Sequence, residues 1–266
     1  MNRQNSEDPF LGPAAPALGW VPAPRYLLRR ARIWRLIATL TPGRLLEVGP
    51  GAGALLIEAA RRGFRCEALE SSREARQLAS AMIDGCGLAI PVHASPGDWT
   101  ACFDTLCAFE VLEHIEGDRE ALLQWRTWLR PGGVLLLSVP AKMSLWTAGD
   151  EWAGHFRRYE KPSLLQLTQD AGYVVEHFEC YGFPLANLSE RLGASSYARR
   201  LRESESATER RSHTARSGID RGPHLKVYPL LRSIPGKLSL RVFFALQAVF
   251  SRTDLGSGYL LKARRT

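Results

Sequence analysis

Nothing constrains this chain more than the run Leu45-Leu46-Glu47-Val48-Gly49-Pro50-Gly51-Ala52-Gly53. Its first four residues read as a strand buried on both faces, and they lead directly into three alternating glycines. A backbone free of side chains at a strand-to-helix turn can approach a ligand closely. The helix that follows begins with N–H groups that have no internal partner. The run therefore predicts a small-molecule site at the carboxyl end of a strand. Its spacing, G-x-G-x-G preceded by Glu47, differs from the G-x-G-x-x-G of dinucleotide binders. A second apolar run ends in Glu70, 17 residues beyond Gly53, where a carboxylate can accept both hydrogen bonds of a ribose diol.

The surrounding pattern supplies the frame. Strands are predicted at 45–48, 65–69, 88–92, 103–108, 134–139 and 173–178, with helices at about 53–62, 72–84, 118–129 and 163–171 between them. Gly63, Gly85, the Arg130-Pro131-Gly132-Gly133 turn and Gly172 close those helices. This alternation predicts an α/β fold, a mainly parallel sheet with helices on both faces. A last strand at 258–263 would close the sheet.

Two regions lie outside the alternation. Residues 1–24, rich in Pro, Ala and Gly, read as a mobile or surface-draped arm. Residues 25–40 read as an amphipathic helix whose Arg25, Arg29, Arg30, Arg32 and Arg35 have no acid among them, and a solvated basic face is the simplest account. Late in the chain, 190–223 is rich in Arg, Ser and Glu and reads as flexible or surface-lying, while 225–250 turns apolar again. The expected division is 1–40 as arm and basic helix, 41–180 with 255–266 as core, and 181–254 as a cap over the substrate.

Composition narrows the class. With 45% hydrophobic and 23% charged residues the 266-residue chain is globular, and its net charge of +8 comes mostly from Arg. Five cysteines without a CxxC pair point to reduced thiols rather than a disulfide frame or a zinc site. The first residues lack the pattern of a signal peptide, and the longest strongly apolar stretch, 242–250, is too short to span a bilayer. These features together predict a cytoplasmic protein.

Three blocks then carry a family resemblance: LLEVGPGAG at 45–53, FDTLCAFEVLEHI at 103–115 and LRPGGVLLLSVP at 129–140. With Glu70 they span about residues 44–180. In their order and spacing the chain resembles the class I S-adenosylmethionine-dependent methyltransferases, in particular the small-molecule group that includes the ubiquinone-biosynthesis enzymes. The resemblance implies a Rossmann-like seven-stranded sheet with an antiparallel last strand, a cap inserted between the sixth and seventh strands, and S-adenosylmethionine as cofactor. It further implies that Gly49, Gly51 and Gly53 wrap the methionine and ribose, that Glu70 holds the ribose hydroxyls, and that Glu47 fixes the loop or reaches the cofactor amino group. Phe109 and Glu110 would border the transferable methyl, and His114 would cap or orient that turn. Relatives often carry an Asp at the end of the third strand for the adenine; here Ser95 or Asp98 could serve.

Methyl transfer from a sulfonium is an in-line displacement, and a base is needed only when the acceptor must lose a proton. The stretch after the fifth strand offers Trp146, Asp150, His155, Arg157, Arg158 and Tyr159. His155 can be a general base oriented by Asp150 or Tyr159, with an Arg neutralising an anionic acceptor beside Trp146. Alternatively these residues tie a lid to the core. The D/N-P-P-Y/F motif of nucleic-acid and glutamine methyltransferases is absent, which argues against a nucleic-acid partner. We find no acidic set like that of metal-dependent catechol enzymes. The reading is thus methyl transfer to a small organic acceptor, at oxygen and without a metal. Carboxylate, N- or C-methylation of a peptide-derived or lipid-linked substrate, and a catalytically silent cofactor-binding module, are the alternatives. The apolar 238–250 segment leaves core packing, a lipid-like acceptor pocket, a peripheral membrane contact and a homodimer interface all open.

Overall fold

A computed structural model describes residues 6–203 and 218–266. Its centre is a seven-stranded sheet of β3 (Arg44–Val48), β4 (Arg65–Leu69), β5 (Val92–His93), β6 (Phe103–Phe109), β7 (Leu129–Pro140), β8 (Tyr173–Tyr181) and β9 (Gly258–Arg265). The spatial order is β5-β4-β3-β6-β7-β9-β8. All neighbours are parallel except β9, which runs antiparallel between β7 and β8. This is the Rossmann-like sheet that the motifs imply. Successive strands step outward from β3 in one direction and then from β6 in the other. The crevice lies where the direction reverses, at the carboxyl ends of β3 and β6.

Strand residues divide by parity between two cores. Leu45, Leu136 and Leu260 face one core, built with α1 (Pro24–Ile37), α2 (Ala54–Arg61) and α3 (Arg73–Gly85). Leu46, Leu135, Leu137 and Leu261 face the other, filled from α4 (Asp118–Trp128) and α6 (Lys161–Asp170). Both faces are covered, which is why these strands read as continuous apolar runs rather than alternating ones. Between α4 and α6 lies the short α5 (Ala148–Ala153).

Several boundaries differ from the sequence reading. The strand expected at 88–92 is only Val92–His93, because the Leu88 N–H closes onto the Ile83 carbonyl at the end of α3 and Pro91 has no N–H to give. Leu129 already pairs with Phe103, and Arg130 to Gly133 bulge out before Val134 rejoins the ladder opposite Thr105. The N-terminal arm is draped rather than loose. Strands β1 (Ser6–Asp8) and β2 (Gly12–Ala14) form a hairpin, and Leu11, Ala15, Trp20 and Val21 are buried.

The basic helix is corrected more sharply. Arg30 pairs with Glu58, and Arg32 makes a two-pronged contact with Glu179 at 2.7 and 2.6 Å. Arg25 reaches Glu110 at 2.9 Å and Glu190 at 3.2 Å. Only Arg35 of the five remains exposed. The cluster lacks acids in sequence but not in space, and it is buried because carboxylates from α2, β6, β8 and the cap meet it.

Between β8 and β9 stand α7 (Leu185–Glu203), α8 (Gly222–Arg232) and α9 (Ile234–Phe250). The part of 190–223 expected to be flexible is thus helical as far as Glu203, and 204–217 lie outside the described residues.

Candidate active site

The glycine run forms the turn predicted for it. Gly49, Gly51 and Gly53 all have positive φ, at 65°, 56° and 72°. A Cβ at Gly49 would lie 2.6 Å from a methyl of Val111, so this position needs glycine for space as well as for conformation. Glu70 follows β4 and receives the Gly51 N–H at 3.3 Å and the Ser72 N–H at 2.9 Å. Burial raises its pKa, while those N–H bonds counter the shift. Glu47 is buried on β3 just ahead of the loop, and burial pushes its carboxyl up to about 8. Ser95 and Asp98 are exposed on the loop after β5, whose His93 carbonyl receives the Glu70 N–H at 2.9 Å. Across the mouth, the Gly218 carbonyl lies 3.5 Å from where a Gly51 Cβ would stand, so the segment between β8 and β9 approaches the glycine turn.

At the carboxyl end of β6, Phe109 is buried and Glu110 takes a positive φ of 58°. The Glu110 carboxylate accepts from Tyr181 Oη at 2.8 Å and Ser138 Oγ at 3.1 Å, in addition to Arg25. Burial opposes its charge, but Arg25 and Arg29 prevail and hold its pKa at about 2. Glu110 is therefore a fixed anion with its partners assigned.

One turn further on the situation reverses. Glu113 is fully buried and neither carboxyl oxygen has a hydrogen-bond partner among the described residues. Burial, with Glu110 adding to it, pushes its pKa well above the usual carboxylate value and so favours the protonated form. His114 lies beside it, its pKa lowered to about 4 by burial and by His155, and its Nδ1 has no partner.

His155 completes the group. A capping box of Thr147 and Asp150 starts α5, and Gly154 with φ 74° ends it and turns the chain so that His155 comes back toward Asp150. His155 Nδ1 stands 2.9 Å from Asp150 Oδ1. Asp150 also receives the Thr147 N–H and two hydrogen bonds from one edge of the Arg158 guanidinium, the latter at 2.8 Å each. Burial disfavours its charge, yet the His155 and Arg158 hydrogen bonds outweigh that and hold Asp150 ionised. An ionised carboxylate can only accept, so Nδ1 carries a proton, and the lone pair of the neutral imidazole is then on Nε2. Nε2 faces Glu113 Oε1 at 3.9 Å, and the His155 ring meets that of His114 edge-on with centroids 4.7 Å apart. Glu113, His114 and His155 also each bring one ligand atom within 4.8 Å of the others, a spacing that a metal ion could bridge.

Other expected residues are placed differently. The Tyr159 hydroxyl bonds Asp118 at 3.0 Å and not His155, so Asp150 alone orients the imidazole. Arg157 is held by Asp118 at 2.6 Å and by the Glu116 carbonyl at 2.7 Å. Arg158 is buried on Asp150 and Glu190. Arg158 is therefore shielded from an anionic acceptor, whereas Arg157, 30% exposed at its side chain, would be shared between Asp118 and such an acceptor. Trp146 lines a shallow cleft with Leu145, Thr147, Asn187, Glu190 and Arg191. The sequence alone reads Arg25 and Arg29 only as part of a solvated basic face and does not single out Glu113 and Tyr181. The i, i+4, i+7 spacing of Arg25, Arg29 and Arg32 was the available signal, since three arginines on one helix face need carboxylates if that face is buried.

Comparison with known proteins agrees with this geometry. A ubiquinone biosynthesis O-methyltransferase from Xanthomonas axonopodis pv. citri (strain 306) is 27% identical over 173 residues, 58% of this chain and 72% of that protein. Two solved structures share the fold. An S-adenosylmethionine-dependent methyltransferase from Mesorhizobium loti superposes with a TM-score of 0.53 at 16% identity, covering 88% of this chain and 98% of that one. Phosphoethanolamine N-methyltransferase 2 from Haemonchus contortus, in complex with S-adenosyl-L-methionine, gives 0.54 at 14% identity over 89% and 52%. The methyltransferase domain family matches residues 24–178, more than half of the chain and the whole stretch from α1 into β8. Glycine turn, strand-end acid, sheet order and family match therefore converge, and the chain belongs to the class I S-adenosylmethionine-dependent methyltransferases.

Proposed function

We propose that the protein methylates a hydroxyl oxygen of a small organic acceptor, with His155 as general base and Asp150 as the group that orients it. The observation that carries this reading is the Asp150–His155 hydrogen bond of 2.9 Å, backed by Arg158, which fixes a proton on Nδ1 and assigns proton uptake to Nε2. In the reaction Nε2 takes the acceptor's O–H proton while the oxygen attacks the methyl carbon in line. The S–CH3 bond breaks as the O–CH3 bond forms, and the demethylated cofactor leaves neutral at sulfur. Asp150 stabilises the imidazolium that results. Gly49, Gly51, Gly53 and Glu70 hold the cofactor, with Glu47 just ahead of the loop, Phe109 and Glu110 at its methyl end, and Ser95 or Asp98 at the adenine. The activity of the Xanthomonas relative, an O-methyltransferase by name, supports oxygen as the acceptor atom.

One observation favours a second reading. If Glu113, His114 and His155 hold a divalent metal ion, His155 is a ligand and not the base. Turnover measured with and without a chelator separates the two, since the base mechanism needs no metal. Under that mechanism His155→Gln should lower kcat by about 100-fold to 10,000-fold while cofactor affinity stays unchanged. Wild-type turnover in His155→Gln would sink it, and loss of activity on chelation would transfer the role to the metal.

A further inference from the structure

Helix α9 is apolar on two opposite sides, and the structure shows which one points inward. Gln247 is buried and donates to the Leu28 carbonyl at 3.0 Å while accepting from the Gly182 N–H at 3.2 Å. Gly236 and Leu240 are buried on the same side. At 100° per residue those three positions cluster on one face of the helix, and Ile234, Leu238, Val242 and Val249 fall on the opposite one. The amide of Gln247, satisfied twice, locks this orientation, because rotating the helix would strand a buried polar group. The outward residues are 77%, 53%, 58% and 74% exposed.

That stripe runs along about four turns of helix and is far more apolar than a solvated helix face. The charge around it identifies a partner. From Arg221 to Thr253 the sequence has six Lys and Arg and no Asp or Glu. Lys226, Arg232, Arg241 and Arg252 are exposed, and the ion pairs found among the described residues do not involve them. A second copy of this chain would bring a like-charged surface against them, whereas anionic headgroups would neutralise them and leave the stripe to enter the acyl boundary. No helix of the described residues is long and apolar enough to cross a membrane, so the contact is along the surface. We propose that the outer face of α9, flanked by these four cations, docks the protein on an anionic lipid bilayer.

The test is co-flotation of the full chain with vesicles of phosphatidylcholine alone and of equal parts phosphatidylcholine and phosphatidylglycerol, which reads binding independently of methyl transfer. Partition should favour the anionic vesicles by more than about tenfold at low salt and fall as salt is added. Val242→Asp should reduce it by roughly tenfold or more and Val242→Trp should increase it, an increase that a misfolded variant cannot produce. Arg241→Gln and Arg252→Gln should each weaken it by about fivefold. Equal partition onto both vesicles, or none onto either, overturns the proposal. A dimer seen by sedimentation and dissolved by Val242→Asp, without vesicle binding, also overturns it and makes a second copy the occupant.

Discussion

Arg158 sets one edge of its guanidinium against Asp150, with Nε and one Nη each 2.8 Å from a different carboxylate oxygen. The pair is almost wholly shielded from water, and its effect on His155 is electrostatic as well as geometric. Holding Asp150 as an anion forces the imidazole proton onto Nδ1. Asp150→Asn should therefore keep the shape of the loop and allow the other tautomer, with its proton on Nε2. Turnover should drop by about 100-fold or more, close to the loss in His155→Gln. The double variant should lose little beyond either single one, and additive losses in steady-state kinetics would contradict a shared unit.

The glycine turn predicts a separation between stability and binding. Gly49→Ala adds a methyl 2.6 Å from Val111 at a positive φ, and it should lower stability by about 1 to 3 kcal/mol as well as weaken cofactor binding. Glu70→Ala removes the acceptor of the Gly51 and Ser72 N–H groups together with the proposed ribose contact, an expected loss of roughly 1 to 3 kcal/mol in cofactor binding. Isothermal calorimetry with S-adenosylmethionine measures both. Unchanged affinity in Glu70→Ala would remove the ribose role from this residue.

Glu47 predicts a pH dependence of stability in the cofactor-free protein. Its carboxyl titrates near 4.5 when exposed and is raised to about 8 in the fold by burial, with Arg29 partly opposing and Glu70 adding to the rise. Between these values the folded state holds a proton that the unfolded state has lost, so this group's contribution is fully present below pH 4.5 and is lost as pH rises through 8. Glu47→Gln cannot titrate. Its stability relative to wild type should therefore increase across that window by about 1 to 4 kcal/mol and then level off. Urea unfolding at a series of pH values checks this, and a difference that stays flat would show that Glu47 titrates normally.

Arg32 and Glu179 join α1 to β8 in a buried two-pronged pair. Removing Glu179 leaves Arg32 without its carboxylate, and removing Arg32 leaves Glu179 with only His177 beside it at 3.0 Å, so Arg32→Ala or Glu179→Ala should each cost about 3 to 5 kcal/mol. Replacing both by methionine should cost much less than the sum, because the desolvation penalty disappears with the charges. Additive losses in thermal or urea unfolding would falsify the coupling.

The sheet and the cofactor site could be read from sequence because their determinants are local. Residues 45–53 contain the buried strand, the glycines whose φ must be positive and the start of a helix, and Glu70 ends the next strand. Backbone sterics and the alternation of strand and helix then leave few arrangements of β3, β4 and β6. The same logic failed at 88–92, where Pro91 and the capped end of α3 left only two residues free to pair.

What local pattern could not supply was pairing across the fold. Arg25, Arg29 and Arg32 looked like a solvated face because their partners, Glu110, Glu190 and Glu179, lie roughly 80 to 165 residues away in sequence, and only the packing of α1 against the carboxyl ends of β6 and β8 brings them together. Asp150 and Tyr159 were equal candidates to orient His155 until the turn at Gly154 placed one against its Nδ1 and Asp118 took the hydroxyl of the other. In 234–250 the apolar residues were evident, but a single buried glutamine decided which of them face outward. Strand, turn and cofactor loop follow from the sequence because sterics and hydrogen bonding act over a few residues. Charge partners, tautomer and exposed face follow only from the tertiary structure, because burial converts distant charges and amides into obligatory neighbours.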